Sequence, residues 1–583
     1  MLANTDIQKL YAARSDNGFA NNNGISLSAK TASRIKTVNL IAVILTALVA
    51  IRLFYMNTYN TMFLAKQMSS RIERNLKIVA MRGTILDRNG NPLAVSTPMA
   101  SIWVDPSELD NLSSEQIQEL AAILRLSLTD LNGKLNQKNK TFVYLKRGIS
   151  PQQAEQIKNL GIEGVYSIQE FKRYYPDGEI AAHIVGFNNV DDQGIDGIEY
   201  ASNKNLVGVD GAHQIIRDRQ GHIVEDLGTT KAAQNGQTVN LSIDNRIQYI
   251  AYNALKTQVD KLHAKGGSAV VLDAKTGEVL AMVNMPTYNP NNRNGVTPDM
   301  LKNRAVTNVY DPGSIMKPLV VAKALDDKLI TTKTMINTHP YYVGPKLIKD
   351  DEPAPQLSVE DVLVRSSDIG TSKIGLKYKP YDLWSYYRSI GFGEKMKTGF
   401  PGETNGILLD WKKWHPIDQA LMSFGYGISV SLFQMAHAYT IFTNDGCILP
   451  VSFYKQQSHL SGANQQSVSK LACGQVISAA TAHTVRDILA ENNLRGTGRN
   501  AQVADYSTAG KTGTAQKLIN GHYSNHDHIS SFVGFAPVKQ PRLIIGIMVD
   551  NPKGAYYGSA VAAPVFGQIA QPTLHLLGVH PDK

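Results

Sequence analysis

Ser314 and Lys317 stand three residues apart in Tyr310-Asp311-Pro312-Gly313-Ser314-Ile315-Met316-Lys317-Pro318. A Pro-Gly turn leads into the run Ile315 to Leu325, so the pattern predicts a helix that opens just after the turn. On a helix, residues three apart share a face, which brings a hydroxyl within reach of an amine. A serine hydroxyl is a poor nucleophile until a neighbour takes its proton, and a desolvated lysine can do that. The positive end of a helix would also favour negative charge developing on the serine oxygen. By itself Ser-x-x-Lys is common and more often marks a solvated helix start. Two further short motifs follow in order, Ser366-x-Asp368 and Lys511-Thr512-Gly513, and three together are harder to dismiss.

These residues need a scaffold, and the chain is long enough to supply several domains at 583 residues. Residues 1–36 are polar and rich in Asn and Ser, and read as a disordered tail. Val38 to Tyr55 is apolar and long enough to span a bilayer. Arg52-Leu53-Phe54-Tyr55-Met56 closes the run with no small-x-small cleavage site, which favours an uncleaved signal anchor over 37–57. Asn89-Gly90 reads as a hairpin turn, and Ser113 to Leu126 and Pro151 to Leu160 as helices. Nothing between 58 and 235 has the makings of a catalytic cluster, so that stretch reads as an α+β structural module.

A second unit is expected over 236–583. Asp244 caps a helix through Leu262, and Gly267 to Leu272 and Glu278 to Asn284 form a hairpin. Leu432 to Thr443, Ser478 to Leu489 and Val561 to Leu577 read as helices, and Ser531 to Ala536 and Leu543 to Val549 as paired strands. Strands at both ends with helices between imply one mixed sheet whose early and late strands pair. The fold class is therefore α+β.

The three motifs resemble those of the penicillin-binding protein and serine β-lactamase superfamily, where Ser-x-x-Lys, Ser-x-Asn and Lys-Thr-Gly line one cleft. Beyond the motifs, Arg82 to Ala94, Arg173 to Gly178 with Ala182-His183, Ser423 to Gly427, and Tyr556-Tyr557-Gly558 with Ala562 to Phe566 are similar to class B penicillin-binding proteins. Among these, the chain resembles the division-specific peptidoglycan D,D-transpeptidases, the FtsI or penicillin-binding protein 3 family. The resemblance implies a mixed-sheet transpeptidase domain on an elongated pedestal, with one membrane helix. It implies that Ser314 attacks the carbonyl between the terminal D-alanines of a stem peptide, with Lys317 as general base and Ser366 relaying a proton. Lys511 would bring positive charge to the cleft and Thr512 a hydroxyl to the substrate carboxylate. Gly513 would let the substrate backbone approach an edge strand and pair with it. The N–H groups of Ser314 and Thr514 would form the oxyanion hole. β-Lactams would be trapped on Ser314. The implied location is the bacterial inner membrane with the catalytic domain in the periplasm at the division site. The implied partners are a separate glycan polymerase and other division proteins. An elongation-type transpeptidase, a β-lactam sensor or scaffold with weakened chemistry, and a D,D-carboxypeptidase are the alternatives.

One position departs from the pattern. Where the family's second motif ends in Asn, this chain has Asp368. An ionised Asp only accepts hydrogen bonds and carries charge, so close to Lys317 it would favour the ammonium and hinder a base. A smaller departure is Ser559, where Gly is expected. The remaining signals are weaker. The formal net charge of +10 is spread thinly, with no basic stripe interleaved with aromatics, so nucleic acid is not an expected partner. His522, His526 and His528 are placed in a polar loop between strands, and no metal or cofactor is expected. Cys447 and Cys473 are the two cysteines, free or paired.

Overall fold

The computed structural model describes residues 29–58, 73–109, 112–217, 223–455 and 473–583. It divides into two compact units. The smaller, residues 1–76 and 213–228, contains the helix α1 (Ala29–Thr58). The stretch Ser33–Asn57 is long and apolar enough to cross a membrane. Helix begins at Ala29, so residues 29–36, expected in a disordered tail, belong to it. Ala, Lys, Arg and Ile are acceptable helix formers, and an apolar span continues the ladder they start. The rest of the tail lies outside the described residues.

In the larger unit the N-terminal part is an α+β module. Pro92–Val104 pairs antiparallel with Val165–Tyr174 over ten successive residues and with Val143–Ile149 on its other edge. Three short helices, Ser114–Leu124, Leu128–Leu135 and Pro151–Asn159, are each capped by the serine before them. They close a separate apolar cluster around Ile102, Leu124, Leu131 and Ile157. Deeper in the module, Glu199 lies 2.6 Å from both Arg82 and Arg173, and all three side chains are buried.

Most of the remaining elements surround one five-stranded sheet that lies between helical layers. Helix α2 (Asn245–Lys261) is capped by Asp244 as expected. Strands β1 (Gly266–Asp273) and β2 (Val279–Met285) form the expected hairpin. Helices α3 (Lys317–Asp326), α4 (Asp368–Gly375) and α5 (Ala479–Arg495) follow. Strands β3 (Ala509–Ile519), β4 (His522–Ala536) and β5 (Leu543–Asp550) and helix α6 (Ala563–Leu576) complete the unit. The sheet is antiparallel in the order β2-β1-β5-β4-β3, so early and late strands do pair, through β1 and β5.

Alternation along the strands separates two cores, because successive side chains point to opposite faces. Ala269, Val271, Ile545 and Ile547 join Leu255 of α2 and Phe566 of α6. Val270, Leu272, Ile544 and Met548 join Leu319 of α3 and Leu432 on the other face. Three expectations change in detail. The helix expected over Leu432 to Thr443 is two, Leu432–Ala438 and Thr440–Thr443, broken at Tyr439. The closing helix starts at Ala563 rather than Val561, after a separate turn at Gly558–Val561. The three histidines lie on β4, not in a loop, because the hairpin turn is at Asn520 and Gly521, both with positive φ.

Candidate active site

The turn carrying Ser314 is fixed from three sides. Gly313–Met316 make one tight 3₁₀ turn and α3 takes over at Lys317, with Pro318 in its first turn, where a missing N–H costs nothing. Gly313 donates its N–H to Gly425 O at 2.9 Å, and Tyr310 exchanges both backbone hydrogen bonds with Val430. Tyr439 donates its hydroxyl to Ile315 O at 2.9 Å. Edge strand β3 closes the third side. A Cβ on Gly313 would approach Thr514 O to 3.2 Å, and one on Gly513 would lie 2.8 Å from Pro312 O. The structure thus brings Gly513 and Thr514 against the turn of Ser314, which is itself half-buried. Gly313 also has φ +57°, which a side chain would strain.

Lys317 is fully buried. Its Nζ donates to Ser366 O and, at 3.1 Å, to Ser366 Oγ. A third contact, at 2.6 Å, is the ion pair with Asp368 Oδ1. Lys511, equally buried and on β3, places its Nζ 2.9 Å from the same Ser366 Oγ, within hydrogen-bond distance. Its other partners are Thr497 Oγ1 and Thr512 O, both at 3.3 Å. Ser366 therefore sits between two lysine amines. It does so with φ +62°, a backbone state that costs a serine about 1–3 kcal/mol and recurs at functional sites.

Asp368 opens α4, where the helix N-terminus favours its negative charge. Ser367 caps that helix through Gly370 N at 2.8 Å, and Asp350 accepts from Ile369 N at 2.9 Å. Burial raises the Asp368 carboxyl above the usual carboxylate range, with Lys317 opposing and Asp350 and Asp351 adding to the rise. Because 34% of the side chain remains exposed, solvent screens part of that burial penalty. Burial pushes Lys511 well below the ordinary ammonium value; Lys317 reinforces the drop and Asp368 offsets part of it.

The expected site residues thus converge: Lys317, Ser366, Asp368 and Lys511 meet through their side chains, Thr512 follows Lys511 on β3, and Gly513 and Thr514 lie against the turn that carries Ser314. Thr512 donates to Thr497 Oγ1 at 2.8 Å, and Thr514 Oγ1 accepts from Gly558 N at 3.0 Å. Two contributors escape a sequence reading. Thr497 follows α5 in Arg495-Gly496-Thr497-Gly498, where only a glycine-flanked helix end hints at a function. Asp350 reaches the site across many intervening residues with no local signature.

Away from the cleft, Cys447 and Cys473 form a disulfide. His528 stacks on Tyr556 at 4.4 Å, and no three-residue metal-ligating group exists among the described residues.

Comparison with known proteins accounts for nearly the whole chain. Residues 267–571 match a family model described as the penicillin binding protein transpeptidase domain. Residues 77–241 match the penicillin-binding protein dimerisation domain. The chain is 40% identical over 555 residues to a probable peptidoglycan D,D-transpeptidase PenA of Neisseria gonorrhoeae, covering 94% of each. It is 36% identical over 539 residues to the peptidoglycan D,D-transpeptidase FtsI of Escherichia coli, covering 91% of this chain and 90% of the relative. Among solved structures, the transpeptidase domain of Burkholderia pseudomallei penicillin-binding protein 3 matches with TM-score 0.53 and 41% identity, over 59% of this chain and 98% of its own. A peptidoglycan synthetase from Bifidobacterium adolescentis shares the fold with TM-score 0.70 at 23% identity, over 88% of this chain and 98% of its own.

Proposed function

The chain belongs to the penicillin-binding protein transpeptidases, and on that footing we propose that it crosslinks peptidoglycan stem peptides through an acyl-enzyme on Ser314. The observation that carries the reading is the convergence of Lys317 and Lys511 on Ser366 Oγ beside the Ser314 turn. Ser314 Oγ loses its proton into that trio and bonds to the carbonyl carbon between the two terminal D-alanines. The C–N bond breaks, and the leaving D-alanine amine takes up a proton. An amine of a neighbouring stem peptide then displaces Ser314 and forms the crosslink. The N–H groups of Ser314 and Thr514 stabilise the oxyanion, and donors aimed there contribute roughly 3–4 kcal/mol each. Thr512 meets the substrate's terminal carboxylate. Edge strand β3 accepts the extended peptide as an added strand, with Gly513 leaving room for its backbone. β-Lactams are covalent ligands of Ser314 because they present a strained amide in place of the D-alanyl bond.

We assign residues 58–235 to a non-catalytic pedestal and 236–583 to the transpeptidase domain. Residues 37–57 anchor the chain in the inner membrane with the catalytic domain in the periplasm, which the apolar span Ser33–Asn57 supports. A division-site role follows the naming of the FtsI relatives, with a separate glycan polymerase and other division proteins as partners. Intact mass after incubation with a β-lactam tests the chemistry: the wild type gains an adduct and Ser314→Ala does not. An adduct on both proteins sinks the assignment. Depletion of the protein with a fluorescent copy in place tests the role. Filaments with midcell signal mark division, and round cells mark elongation.

A further inference from the structure

Two buried amines share one hydroxyl here, and among the described residues one carboxylate, Asp368, is ion-paired to them. Lys317 Nζ has three partners, Ser366 O, Ser366 Oγ and Asp368 Oδ1, which matches the three donors of an ammonium. Lys511 Nζ meets Ser366 Oγ, Thr497 Oγ1 and Thr512 O, none of them charged. Ser366 Oγ has one hydrogen to give, and a lysine can receive it only through a free lone pair. Two ammonium groups on one hydroxyl, with both side chains buried, would stand in mutual repulsion with half the compensating charge they need. One of the two must therefore be neutral, and the carboxylate at 2.6 Å decides which. Asp368 also opens a helix whose N-terminus favours its charge.

We propose that Asp368 keeps the proton on Lys317 and that Lys511, acting through Ser366 Oγ, is the base that receives the proton of Ser314. The inference rests on the transpeptidase reading and refines it. In the step, the Ser314 hydrogen moves to Ser366 Oγ as the Ser366 hydrogen moves to Lys511 Nζ. The freed electron pair on Ser314 Oγ forms the bond to the carbonyl carbon. When the C–N bond breaks, the same proton returns by that route to the leaving amine. Lys317 remains an ammonium throughout and orients Ser366.

The charged neighbours agree with this order. Lys511 is faced by Lys317 from α3 and Asp368 from α4, and burial together with Lys317 drives it towards the free amine. Asp350 and Asp351 add their charge at Asp368. Tyr426, also near Asp368, is pushed up to about 12 by burial and remains a neutral phenol.

The test is a crossed pair of substitutions in the full chain, read as the rate at which a fluorescent penicillin acylates Ser314. Arginine keeps the positive charge of Lys511 but has no lone pair to offer. Lys511→Arg should slow acylation roughly 100-fold, the contribution of a general base. In an Asp368→Asn background, where Lys317 is free to lose its proton, the same change should cost less than about tenfold. Equal losses in both backgrounds, or no loss in the wild type, overturn the inference. A wild type that takes no penicillin at all overturns the transpeptidase reading instead. Since a buried arginine can disturb the fold, lysine Cε NMR gives a second readout. A neutral-lysine signal near neutral pH that vanishes in Lys511→Met supports the assignment, and its persistence there refutes it.

Discussion

Asp368 Oδ1 lies 2.6 Å from Lys317 Nζ, so the residue that departs from the family's second motif touches the lysine of its first. A carboxylate at that distance stabilises the ammonium, whereas an amide would not. Asp368→Asn should therefore speed acylation of Ser314, by about tenfold for each ~1.4 kcal/mol of ion-pair stabilisation removed from the ground state. Stopped-flow acylation with a labelled penicillin measures this. An unchanged or slower rate would show that the carboxylate does not restrain the lysine.

Gly425 offers a way to move Ser314 without touching a reacting group. It has φ +91°, and a Cβ there would lie 2.1 Å from Gly313 O. Gly425→Ala must push the Gly313–Met316 turn aside. A shift near 1 Å in a nucleophile costs on the order of 100-fold in rate. Penicillin acylation should fall by about that factor while thermal unfolding still shows one folded population.

The motifs and most of their supports were legible because their signals are local. Ser113, Asp244 and Ser478 cap their helices by accepting backbone N–H bonds within the next few residues, and such capping can be read from spacing. The three Ser/Lys motifs are likewise short. What stayed hidden depends on distance in sequence. Thr497 matters only because α5 ends beside β3, and Tyr439 breaks a helix in order to reach Ile315 O. The Arg82–Glu199–Arg173 cluster joins residues over 100 positions apart at its widest, and each alone looks like an ordinary surface charge. The histidines read as a loop because polar residues on a strand beyond the core carry no apolar alternation to mark it.

That buried cluster gives a stability prediction remote from the chemistry. Glu199 is ion-paired to both guanidiniums, and its side chain is wholly buried. Among the described residues, Arg173 Nη2 already lacks a hydrogen-bond partner. Glu199→Gln keeps the shape and removes the charge, leaving both arginines without their ion-pair partner at a cost of about 3–5 kcal/mol. A urea unfolding midpoint that stays unchanged would contradict this account.

The disulfide between Cys447 and Cys473 closes a loop of 26 residues in sequence. Limiting the unfolded chain by a loop of that size contributes about 3 kcal/mol in the loop-entropy treatment. Replacing both cysteines with serine should lower the unfolding midpoint accordingly and leave penicillin acylation intact, since neither residue touches the cleft. Loss of acylation in a folded double variant would mean the bridge shapes the site.

Lys511 should also leave a thermodynamic trace independent of any rate. Its folded-state pKa lies well below the ordinary 10.5 because of burial and Lys317. Between that lowered value and 10.5 the unfolded chain binds a proton that the folded chain does not, so stability falls as the pH drops through this window. The expected slope is about 1.4 kcal/mol per pH unit for one full proton. Lys511→Met has no proton to bind in either state and lacks this slope. Urea midpoints of the two proteins, measured from mildly alkaline to neutral pH, should therefore diverge in favour of the methionine variant as the pH falls. A constant difference across that range would mean that Lys511 holds its proton in the folded state, and the base assigned to it would have to be sought elsewhere.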